Sequence, residues 1–550
     1  MTELTGAQII ARSLEEQGVG AMFGVVGFPV VPIAICTQRE GVPYYGFRNE
    51  QSASYAAGAY GYLTGRPGAC LAVSGPGMIH AIAGLANAQA NCWPMLLLGG
   101  ANDSFQNGMG AFQECPQLEA ARPFVKYAAR PDSIERLPYY VEQAVRASIS
   151  GRPGAVYLDL PNDLIVGKRD EEGVGWCPRA PEPPRAQADP DAVERALEVL
   201  RRAERPLVIV GKGAAWARAE DEVRAFVKRT HLPFLATPMG KGVVPDDDPL
   251  SIAPARSFAL QNADAVLLLG ARLNWILHFG LPPRFAKGVK VVQVDVAADE
   301  IGRNVPAEVA LVGDAKAVVA QLNAAVAREK WKYPQETPWR VDLAREIAKN
   351  QESVAGMFAD DSVPMNYYRA LREIRDLLPR DAIVCSEGAN TMDIGRTVLP
   401  NFAPRHRLDA GTFGTMGVGL GFAIAAAVAH PEKKVVAVEG DSAFGFSGME
   451  FETACRYRLP ISFVILNNNG IGGGVDEFDP ANVPVSVYTP RARYDKIAEA
   501  FGGRGFFVTK PDELGPALAE SLASSVPTIV NVMLNPRADR KPQKYGWLTR

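Results

Sequence analysis

The chain has 550 residues, of which 47% are hydrophobic and 22% are charged, with 58 basic and 61 acidic side chains. This is ordinary globular composition, and at roughly 150 residues per domain the length predicts about three or four domains. The net charge of −3 excludes the basic excess that is typical of nucleic-acid-binding proteins and of proteins held on anionic membranes. We therefore expect neither nucleic acid nor a membrane as a partner.

The cysteines indicate a reducing compartment. There are 7 of them, an odd number, and none lies in a CxxC pair, so we expect neither a disulfide framework nor a zinc site. The first residues contain Glu3 and lack the basic segment of a signal peptide. The longest apolar run, residues 417–429, is too short to span a bilayer. A cytoplasmic location is the expectation.

Short apolar runs alternate with helix-like segments along most of the chain. Continuous apolar runs of this length are typical of buried parallel strands, and they occur at residues 71–73, 95–100, 207–213, 265–271, 291–296, 434–441 and 461–469. Gly, Asn or Asp lies at or near the carboxyl end of nearly all of them, at the sheet edge where open α/β proteins bind ligands. The sequence therefore predicts an α/β fold.

Two segments rich in proline and charge, residues 169–190 and 329–340, have the composition of linkers. They divide the chain into predicted domains 1–168, 191–328 and 341–535, followed by the tail 536–550. Each predicted domain has the length of a doubly wound parallel-sheet domain.

The first and third predicted domains resemble each other. In each, a short strand ending in a glycine-containing turn (72–77 and 437–442) is followed by a helix-like run, a proline and a second strand. Two copies of one strand–helix–strand plan would explain the similarity, although unrelated units of this kind also look alike by chance.

The strongest local pattern is residues 440–470, which run from the end of one predicted strand to the end of the next. Asp441 and Asn468 would then lie side by side, and the turn after Asn468 exposes the Gly470 carbonyl. Such oxygen ligands suit Mg²⁺. Three residues at the predicted helix start would bind a diphosphate through their backbone N–H groups: Gly440, Ser442 and Ala443. A capped helix next to an unrelated Asn-rich turn is the alternative.

Two further segments accompany this pattern. Residues 44–65 predict a strand, a turn with Glu50, and a helix of small residues, where a carboxylate is also favourable simply through the helix dipole. Residues 411–421, GTFGTMGVGLG, indicate a glycine-rich helix start, which tight packing on a sheet would also explain.

In their order and content these three segments resemble the motifs of thiamin diphosphate-dependent enzymes, with Ser442 where the family's GDG triplet has its last glycine. The resemblance implies that Asp441, Asn468 and the Gly470 carbonyl hold Mg²⁺ on the cofactor diphosphate. It implies that Glu50 hydrogen-bonds the pyrimidine ring, and that this ring is also gripped by the Gly414 carbonyl and Met416. The remaining cofactor-binding residues that it implies are Glu387, Gly388, Ala389, Asn390, Thr391 and Ile471.

Over essentially the whole chain the sequence closely resembles one branch of that family, the 2-hydroxyacyl-CoA lyases. Residues 109–120, MGAFQECPQLEA, and the basic, aromatic tail carry this resemblance. It implies cleavage of the C1–C2 bond of a 2-hydroxyacyl-CoA to formyl-CoA and an aldehyde or ketone, and the reverse condensation. Phe112 and Gln113 would approach the reacting carbon, and the tail would form a lid over the CoA thioester. The CoA-binding candidates are Met239, Lys241, Arg256, Arg396, Arg540 and Lys541.

Three other activities remain open on the sequence. Oxalyl-CoA decarboxylases share GDSAFGFSGME but carry a Tyr–Glu pair in place of Phe112 and Gln113. Acetolactate synthases share AFQE and GKGVVPD but lack this tail. A non-catalytic subunit of the same fold would be expected to have lost Glu50, Asp441 or Asn468. The turn 470–474 lacks an aromatic residue that related enzymes often have, which leaves the substrate pocket undefined.

The middle predicted domain carries a weak nucleotide-binding pattern, GKG after a strand and an acidic residue after a later strand. The candidates are Gly211, Lys212, Arg272 and Asp295. By resemblance this domain holds ADP in the acyl-CoA branch and FAD in the acetolactate branch, and ADP is the expectation here. The family also builds its site from Glu50 of one subunit and the diphosphate residues of another. We therefore expect a homo-oligomer. A dimer is the smallest assembly that completes the site, and a tetramer is the expected state.

Overall fold

The computed structural model describes residues 3–538 and 540–542, which form three parallel-sheet domains with helices on their faces. The α/β fold predicted from the sequence is confirmed. The strands of the described part are β1 (Glu3–Thr5), β2 (Met22–Gly24), β3 (Tyr44–Gly46), β4 (Gly68–Ala72), β5 (Met95–Ala101), β6 (Tyr127–Ala129), β7 (Ala155–Pro161), β8 (Lys168–Asp170), β9 (Pro206–Val210), β10 (Phe234–Ala236), β11 (Ala265–Leu269), β12 (Lys290–Asp295), β13 (Val309–Val312), β14 (Ile383–Glu387), β15 (Arg407–Asp409), β16 (Val435–Gly440), β17 (Ser462–Asn467), β18 (Arg504–Val508) and β19 (Thr528–Met533).

The α-helices of the same residues are α1 (Gly6–Glu16), α2 (Val31–Arg39), α3 (Glu50–Thr64), α4 (Pro76–Asn91), α5 (Gln117–Ala121), α6 (Leu137–Ile149), α7 (Asn162–Val166), α8 (Pro190–Arg202), α9 (Lys212–Trp216), α10 (Glu220–Thr230), α11 (Arg256–Asn262), α12 (Ala315–Glu329), α13 (Pro338–Ala359), α14 (Tyr367–Leu377), α15 (Ala389–Val398), α16 (Gly419–Ala429), α17 (Asp441–Ser447), α18 (Glu450–Arg456), α19 (Asp495–Ala500) and α20 (Pro511–Ala523). In the described part of the chain, no helix is both long and apolar enough to cross a membrane.

The first and third domains have the same sheet topology. The first sheet has the order β3-β2-β4-β5-β7-β6, and the third has the order β15-β14-β16-β17-β19-β18. Numbered within each domain, both orders are the same, and all strand pairs in these two sheets are parallel. The internal similarity predicted from residues 72–77 and 437–442 is confirmed.

The middle domain has its own parallel sheet, with the order β10-β9-β11-β12-β13. Its central strand β11 is apolar on both faces because helices cover both sides, and every residue of β11 is buried. Residues 329–340 are not a free linker, because α13 starts there. Trp339 is buried in the middle-domain core, and its indole N–H donates to the Pro206 carbonyl over 3.1 Å. Composition alone could not reveal this buried anchor.

The first and third domains share a hydrophobic core in which α3 packs against α16. Both helices are rich in small residues, which allows close backbone approach. At Gly421 a Cβ atom would come within 2.7 Å of the Ser52 carbonyl oxygen, so glycine is required there. This contact fixes the helix that begins at Glu50 against the helix that follows Met416.

Candidate active site

Asp441 lies at the carboxyl end of β16, where it begins α17. Its carboxylate accepts hydrogen bonds from the backbone N–H groups of Ser442 (2.9 Å) and Gly470 (3.0 Å). Burial raises the pKa of Asp441 to about 7. A cation beside this carboxylate would favour its charged form, so the position suits a metal ligand. The strand–helix–strand unit thus brings together the ends of residues 440–470, as the sequence predicts.

Asn468 joins this turn to a second segment. Its side-chain amide donates to the Gly472 carbonyl over 3.0 Å, and Asn390 on α15 donates to the same carbonyl over 3.2 Å. The amide oxygen of Asn468 is then the atom available to a cation. Within residues 3–538 and 540–542 no group of three or more His, Cys, Asp or Glu side chains could hold a metal. One carboxylate, one amide and a backbone carbonyl suit Mg²⁺ better than Zn²⁺.

The starts of α15 and α17 lie at the same sheet edge and form a cradle for an anion. Gly388 has φ of 101°, and a Cβ atom there would come within 3.1 Å of the Gly440 nitrogen. The two turns therefore approach each other as closely as glycine allows. Backbone N–H groups at helix starts attract phosphate groups. The residues that the sequence predicts to bind the diphosphate all lie in these two turns or in the helix starts that follow them: Gly388, Ala389, Asn390, Thr391, Gly440, Ser442 and Ala443.

Glu387 directs its side chain away from this cradle, and its expected place at the diphosphate seat stays a prediction. Its carboxylate is buried and accepts hydrogen bonds from the backbone N–H groups of Gly417 and, over 2.5 Å, Gly419. Glu387 therefore holds the turn that carries Gly414 and Met416. The register of β14 against β16 decides which way this side chain points, and a single strand read in isolation does not reveal it.

The remaining residues assigned to the cofactor lie on exposed turns. Gly414 has φ of 70°, which favours glycine, and Met416 follows it, half-buried, before α16 begins. Ile471 lies exposed in the turn after Asn468. Their proposed contacts with the pyrimidine and diphosphate stay predictions.

Glu50 begins α3, at the carboxyl edge of the first sheet. One carboxylate oxygen lies 3.2 Å from Nδ1 of His80 on α4. The other is so close to α4 that a Cβ atom at Gly77 would come within 3.1 Å of it. The sequence analysis missed His80. The signal that could have found it is its place in SGPGMIH, directly after β4, where ligand-binding residues collect.

The loop with Phe112 and Gln113 approaches the same edge. The Gln113 side-chain oxygen accepts a hydrogen bond from the Ser74 hydroxyl over 3.1 Å, just after β4. The next residue, Glu114, shapes the loop by accepting the N–H groups of Gly108 (2.5 Å), Gly110 (2.9 Å) and Ala111 (3.1 Å). Phe112 is exposed.

A cavity lies where the three domains meet, and the nucleotide candidates of the middle domain surround it. Lys212, Arg272 and Asp295 line it, whereas Gly211 caps the helix next to it. Burial lowers the pKa of Lys212 to about 7. Residues outside the middle domain also line the cavity and were not predicted from the sequence: Cys92, Arg152, Asp409 and Thr412. Arg152 is paired with Asp295 over 2.9 Å.

A group of basic side chains lies between the middle and third domains. Arg256 is half-buried, and its pKa is lowered to about 10 by desolvation and by the charges of Arg284 and Arg396. Arg396 is paired with Asp393 over 3.1 Å, and Arg540 is paired with the same carboxylate over 2.5 Å. Three of the CoA candidates, Arg256, Arg396 and Arg540, are thus linked through Arg396, which is also paired with Asp409 over 3.1 Å.

Lys541 follows Arg540 in the chain, and its backbone N–H donates to the Tyr368 hydroxyl over 3.0 Å. The role of the two other CoA candidates stays a prediction. Lys241 is mostly buried and is paired with Asp246 over 2.9 Å. Met239 is buried and lines the cavity at the three-domain junction. The end of the proposed lid, residues 543–550, lies outside the described residues.

Comparison with known proteins agrees with this architecture. Residues 4–120 match the thiamine pyrophosphate enzyme N-terminal TPP binding domain, residues 193–322 the central domain, and residues 387–532 the C-terminal TPP binding domain. The three domains and the site at their sheet edges define a thiamin diphosphate-dependent enzyme.

Comparison with individual relatives shows to which branch of this enzyme class the chain belongs. The chain is 51% identical to 2-hydroxyacyl-CoA lyase 1 of Homo sapiens, over 100% of this chain and 97% of the relative. It is 47% identical to 2-hydroxyacyl-CoA lyase of Oryza sativa subsp. japonica, over 98% and 96%. It is 42% identical to oxalyl-CoA decarboxylase of Escherichia coli (strain K12), over 97% and 95%. The chain belongs to the 2-hydroxyacyl-CoA lyase family, whose members are thiamin diphosphate-dependent carbon–carbon lyases.

Proposed function

We propose that this protein cleaves the C1–C2 bond of 2-hydroxyacyl-CoA thioesters to formyl-CoA and an aldehyde or ketone. One observation carries the proposal: the chain has both the turn with Asp441, Asn468 and Gly470 and, at the sheet edge where Glu50 lies, the side chain of Gln113. The chain is also similar over its full length to the lyases. The atoms balance without a co-reactant, because the substrate loses its hydroxyl proton and gains one proton at C1. The same site would run the reverse condensation.

The residues present fit thiamin diphosphate and Mg²⁺. Asp441, the Asn468 amide oxygen and the Gly470 carbonyl would hold Mg²⁺ on the diphosphate, and the starts of α15 and α17 would donate N–H groups to its oxygens. When bound, the cofactor supplies a carbon nucleophile for the thioester carbonyl and an electron sink for the broken bond. Glu50 would hold a proton at the pyrimidine nitrogen, and Gly414 and Met416 would orient that ring.

Gln113 supports the lyase over the decarboxylase. It offers a neutral amide where oxalyl-CoA decarboxylases, by the resemblance, carry a carboxylate. An amide can donate to a hydroxyl or carbonyl oxygen of the substrate, and it is anchored here by Ser74. Retention of Glu50, Asp441 and Asn468 argues against a non-catalytic subunit, and the tail argues against an acetolactate synthase.

The basic group of Arg256, Arg396 and Arg540 is our proposed site for CoA phosphates. Concentrated positive charge in a half-buried setting is costly unless an anion compensates it, and Arg side chains bind phosphates in bidentate geometry. Lys541 and the tail beyond it would close over the thioester. Deleting residues 536–550 should raise KM for the thioester and leave thiamin diphosphate affinity unchanged. Unchanged kinetics would show that the tail does not act as a lid over the thioester.

The cavity at the three-domain junction is our proposed ADP site. Lys212, Arg272 and Arg152 provide positive charge, and Asp295 offers an acceptor for a ribose hydroxyl. Because all three domains line the cavity, bound ADP should raise the melting temperature of the protein. The purified protein should be colourless, whereas a bound flavin spectrum would favour FAD.

A homo-oligomer is also part of the proposal. Large apolar side chains are exposed directly beside site residues, namely Ile79 next to His80, Phe413 next to Gly414, and Phe446 and Met449 after Asp441. Apolar surface of this kind is typical of protein–protein contacts. A second subunit on this surface would bring its Glu50 to the diphosphate residues. Sedimentation should show a dimer or tetramer, and a monomer that is fully active would contradict this part.

The direct experiment is product analysis. Purified protein with thiamin diphosphate and Mg²⁺ is incubated with 2-hydroxyacyl-CoA thioesters of several chain lengths and, separately, with oxalyl-CoA. Formyl-CoA and the aldehyde should form in equal amounts from the hydroxyacyl substrates. Decarboxylation of oxalyl-CoA as the only reaction would contradict the proposal and favour the decarboxylase.

A further inference from the structure

We propose that Glu450 is a positioning residue that fixes the backbone turn from which Glu50 projects. The inference rests on the proposed role of Glu50 toward the cofactor. It assigns a function to a buried carboxylate of the third domain that takes no part in the metal, diphosphate or CoA contacts described above.

Glu450 begins α18 and is only 1% exposed, yet it reaches across to the first domain. Its Oε1 accepts the backbone N–H groups of Arg48 over 3.1 Å and Asn49 over 3.0 Å. The Thr453 hydroxyl donates to its Oε2 over 2.7 Å. Arg48 and Asn49 are the two residues directly before Glu50, so this carboxylate holds the start of α3.

Neighbouring side chains of the third domain bind the strand before the same turn. The Tyr457 hydroxyl accepts the Gly46 N–H over 2.6 Å, and Arg456 donates to the Gly46 carbonyl over 2.8 Å. Strand β3 is the edge strand of the first sheet and pairs with β2 on one side only. On its other side, the end of β3 is hydrogen-bonded to these side chains of the third domain. The segment 450–457 therefore holds four backbone groups within the turn 46–49.

Both carboxylate oxygens face a backbone donor, because the Arg48 N–H lies 3.1 Å from Oε1 and 3.2 Å from Oε2. A glutamine could donate to the Thr453 hydroxyl, but its NH₂ group would face a backbone N–H in either orientation of the amide. A buried N–H without a partner costs about 1–3 kcal/mol, and the turn would relax to avoid it. A displacement of this kind near Glu50 of about 1 Å is enough to slow a reaction roughly 100-fold.

The same segment also carries the metal site. α17 begins at Asp441, and α18 follows it directly, so one short pair of helices connects the proposed Mg²⁺ ligand to the support of Glu50. The geometry assigns Glu450 a role through Glu50 and none in binding the diphosphate. Loss of Glu450 should therefore separate cofactor binding from cofactor activation.

The test compares Glu450→Gln with Glu499→Gln, a control on α19 of the same domain. Glu499 pairs with Lys496 over 2.8 Å, whereas Glu452 is unsuitable as a control because it pairs with Arg48 over 3.8 Å and with Arg456, which donates to Gly46. In the protein without cofactor, hydrogen–deuterium exchange of a peptide covering residues 44–52 should become faster only in Glu450→Gln. In the holoenzyme, exchange of the thiazolium C2 proton and kcat should both fall roughly 100-fold, with KM and thiamin diphosphate affinity nearly unchanged.

A C2 exchange rate equal to that of the wild type in a folded, cofactor-binding Glu450→Gln variant would overturn the inference. Equal losses in both variants would also overturn it. Should Glu450→Gln fail to fold, Thr453→Val removes one bond to the carboxylate and should slow C2 exchange in the same direction. Unaltered exchange in that variant would also contradict the inference.

A parallel Glu50→Gln variant distinguishes failure of the proposed role of Glu50 from failure of the positioning role of Glu450. If Glu50→Gln keeps rapid C2 exchange, the proposed role of Glu50 fails. If Glu50→Gln loses exchange and Glu450→Gln keeps it, only the role of Glu450 fails.

Discussion

Glu387 and Glu439 are register partners on the neighbouring strands β14 and β16, and both carboxyl groups lie against Gly419. A Cβ atom at Gly419 would come within 2.3 Å of Glu439 and 2.9 Å of Glu387, so only glycine fits between them. Burial raises the pKa of Glu387 to about 7. Burial and the Glu387 carboxylate raise the pKa of Glu439 well above its ordinary value. One carboxyl group of the pair is therefore protonated at neutral pH.

The two members of this pair should respond differently to the same substitution. Among the described residues, Glu439 has no hydrogen-bond partner for either side-chain oxygen, whereas Glu387 accepts the N–H groups of Gly417 and Gly419. Glu439→Gln should leave thiamin diphosphate affinity within about threefold of wild type, because a neutral amide replaces a neutral acid. Glu387→Gln should cost about 1–3 kcal/mol of stability and weaken cofactor binding. Chemical unfolding and calorimetry measure both. Equal effects would mean that both carboxyl groups are needed as acceptors.

Replacement of Glu50 by glutamine should preserve cofactor binding and abolish most of the cleavage activity. A glutamine amide cannot share a proton with the pyrimidine nitrogen as a carboxyl group does, and such proton transfers contribute roughly 100- to 10,000-fold to rates. Steady-state kinetics and calorimetric titration with thiamin diphosphate test this. Near wild-type turnover would remove Glu50 from the mechanism.

Removal of the Asp441 side chain should abolish the dependence of cofactor binding on Mg²⁺. The Asp441→Ala variant keeps the turn but loses its only carboxylate, and the amide and carbonyl oxygens that remain bind Mg²⁺ weakly. Thiamin diphosphate affinity measured with Mg²⁺ and with a chelator should become similar and low. An affinity unchanged from wild type would refute the metal site.

ADP binding should weaken as the pH rises above about 7. Lys212 has a pKa lowered to about 7 by burial, so it is charged below this pH and neutral above it in the free protein. An anionic phosphate favours the charged form and raises this pKa, so binding takes up a proton. Affinity should then fall by up to about tenfold for each pH unit above 7. Calorimetry in buffers of different ionisation enthalpy measures the proton uptake.

The matched variant for this pH effect is Lys212→Met. This variant should bind ADP more weakly at neutral pH, and its ADP affinity should no longer fall as the pH rises above 7. Titration of the nucleotide itself affects both proteins equally, so the difference between the two pH profiles reports on Lys212. An identical pH profile in the variant would show that Lys212 does not face the nucleotide.

Local patterns in the sequence were sufficient to predict the sheets and the proximity of Asp441 and Gly470. The runs 265–271 and 291–296 indicated parallel strands because β11 has no polar residue and every residue of β12 after Lys290 is buried. Asp441 and Gly470 could be paired because both follow neighbouring strands of one unit. Contacts within one strand–helix–strand unit depend on few degrees of freedom.

Contacts between domains could not be predicted in the same way. Glu450 and Asn49 are distant in sequence, and their bond depends on how the first and third domains pack. The pairing of Lys241 with Asp246 is likewise not visible in its glycine-rich segment. Arg152 reaches the cavity at the three-domain junction from the first domain, and no local pattern marks it. Such assignments require the tertiary structure.

The measurement that tests the central claim most directly follows one carbon atom. A 2-hydroxyacyl-CoA labelled with ¹³C at C1 is incubated with the holoenzyme, and the products are analysed by NMR and mass spectrometry. Cleavage of the C1–C2 bond predicts that all label appears in formyl-CoA, with an equal amount of unlabelled aldehyde one carbon shorter than the acyl chain. The Asp441→Ala variant should give neither product. Label released as carbon dioxide, or retained in an intact thioester under conditions where cofactor is bound, would contradict the account.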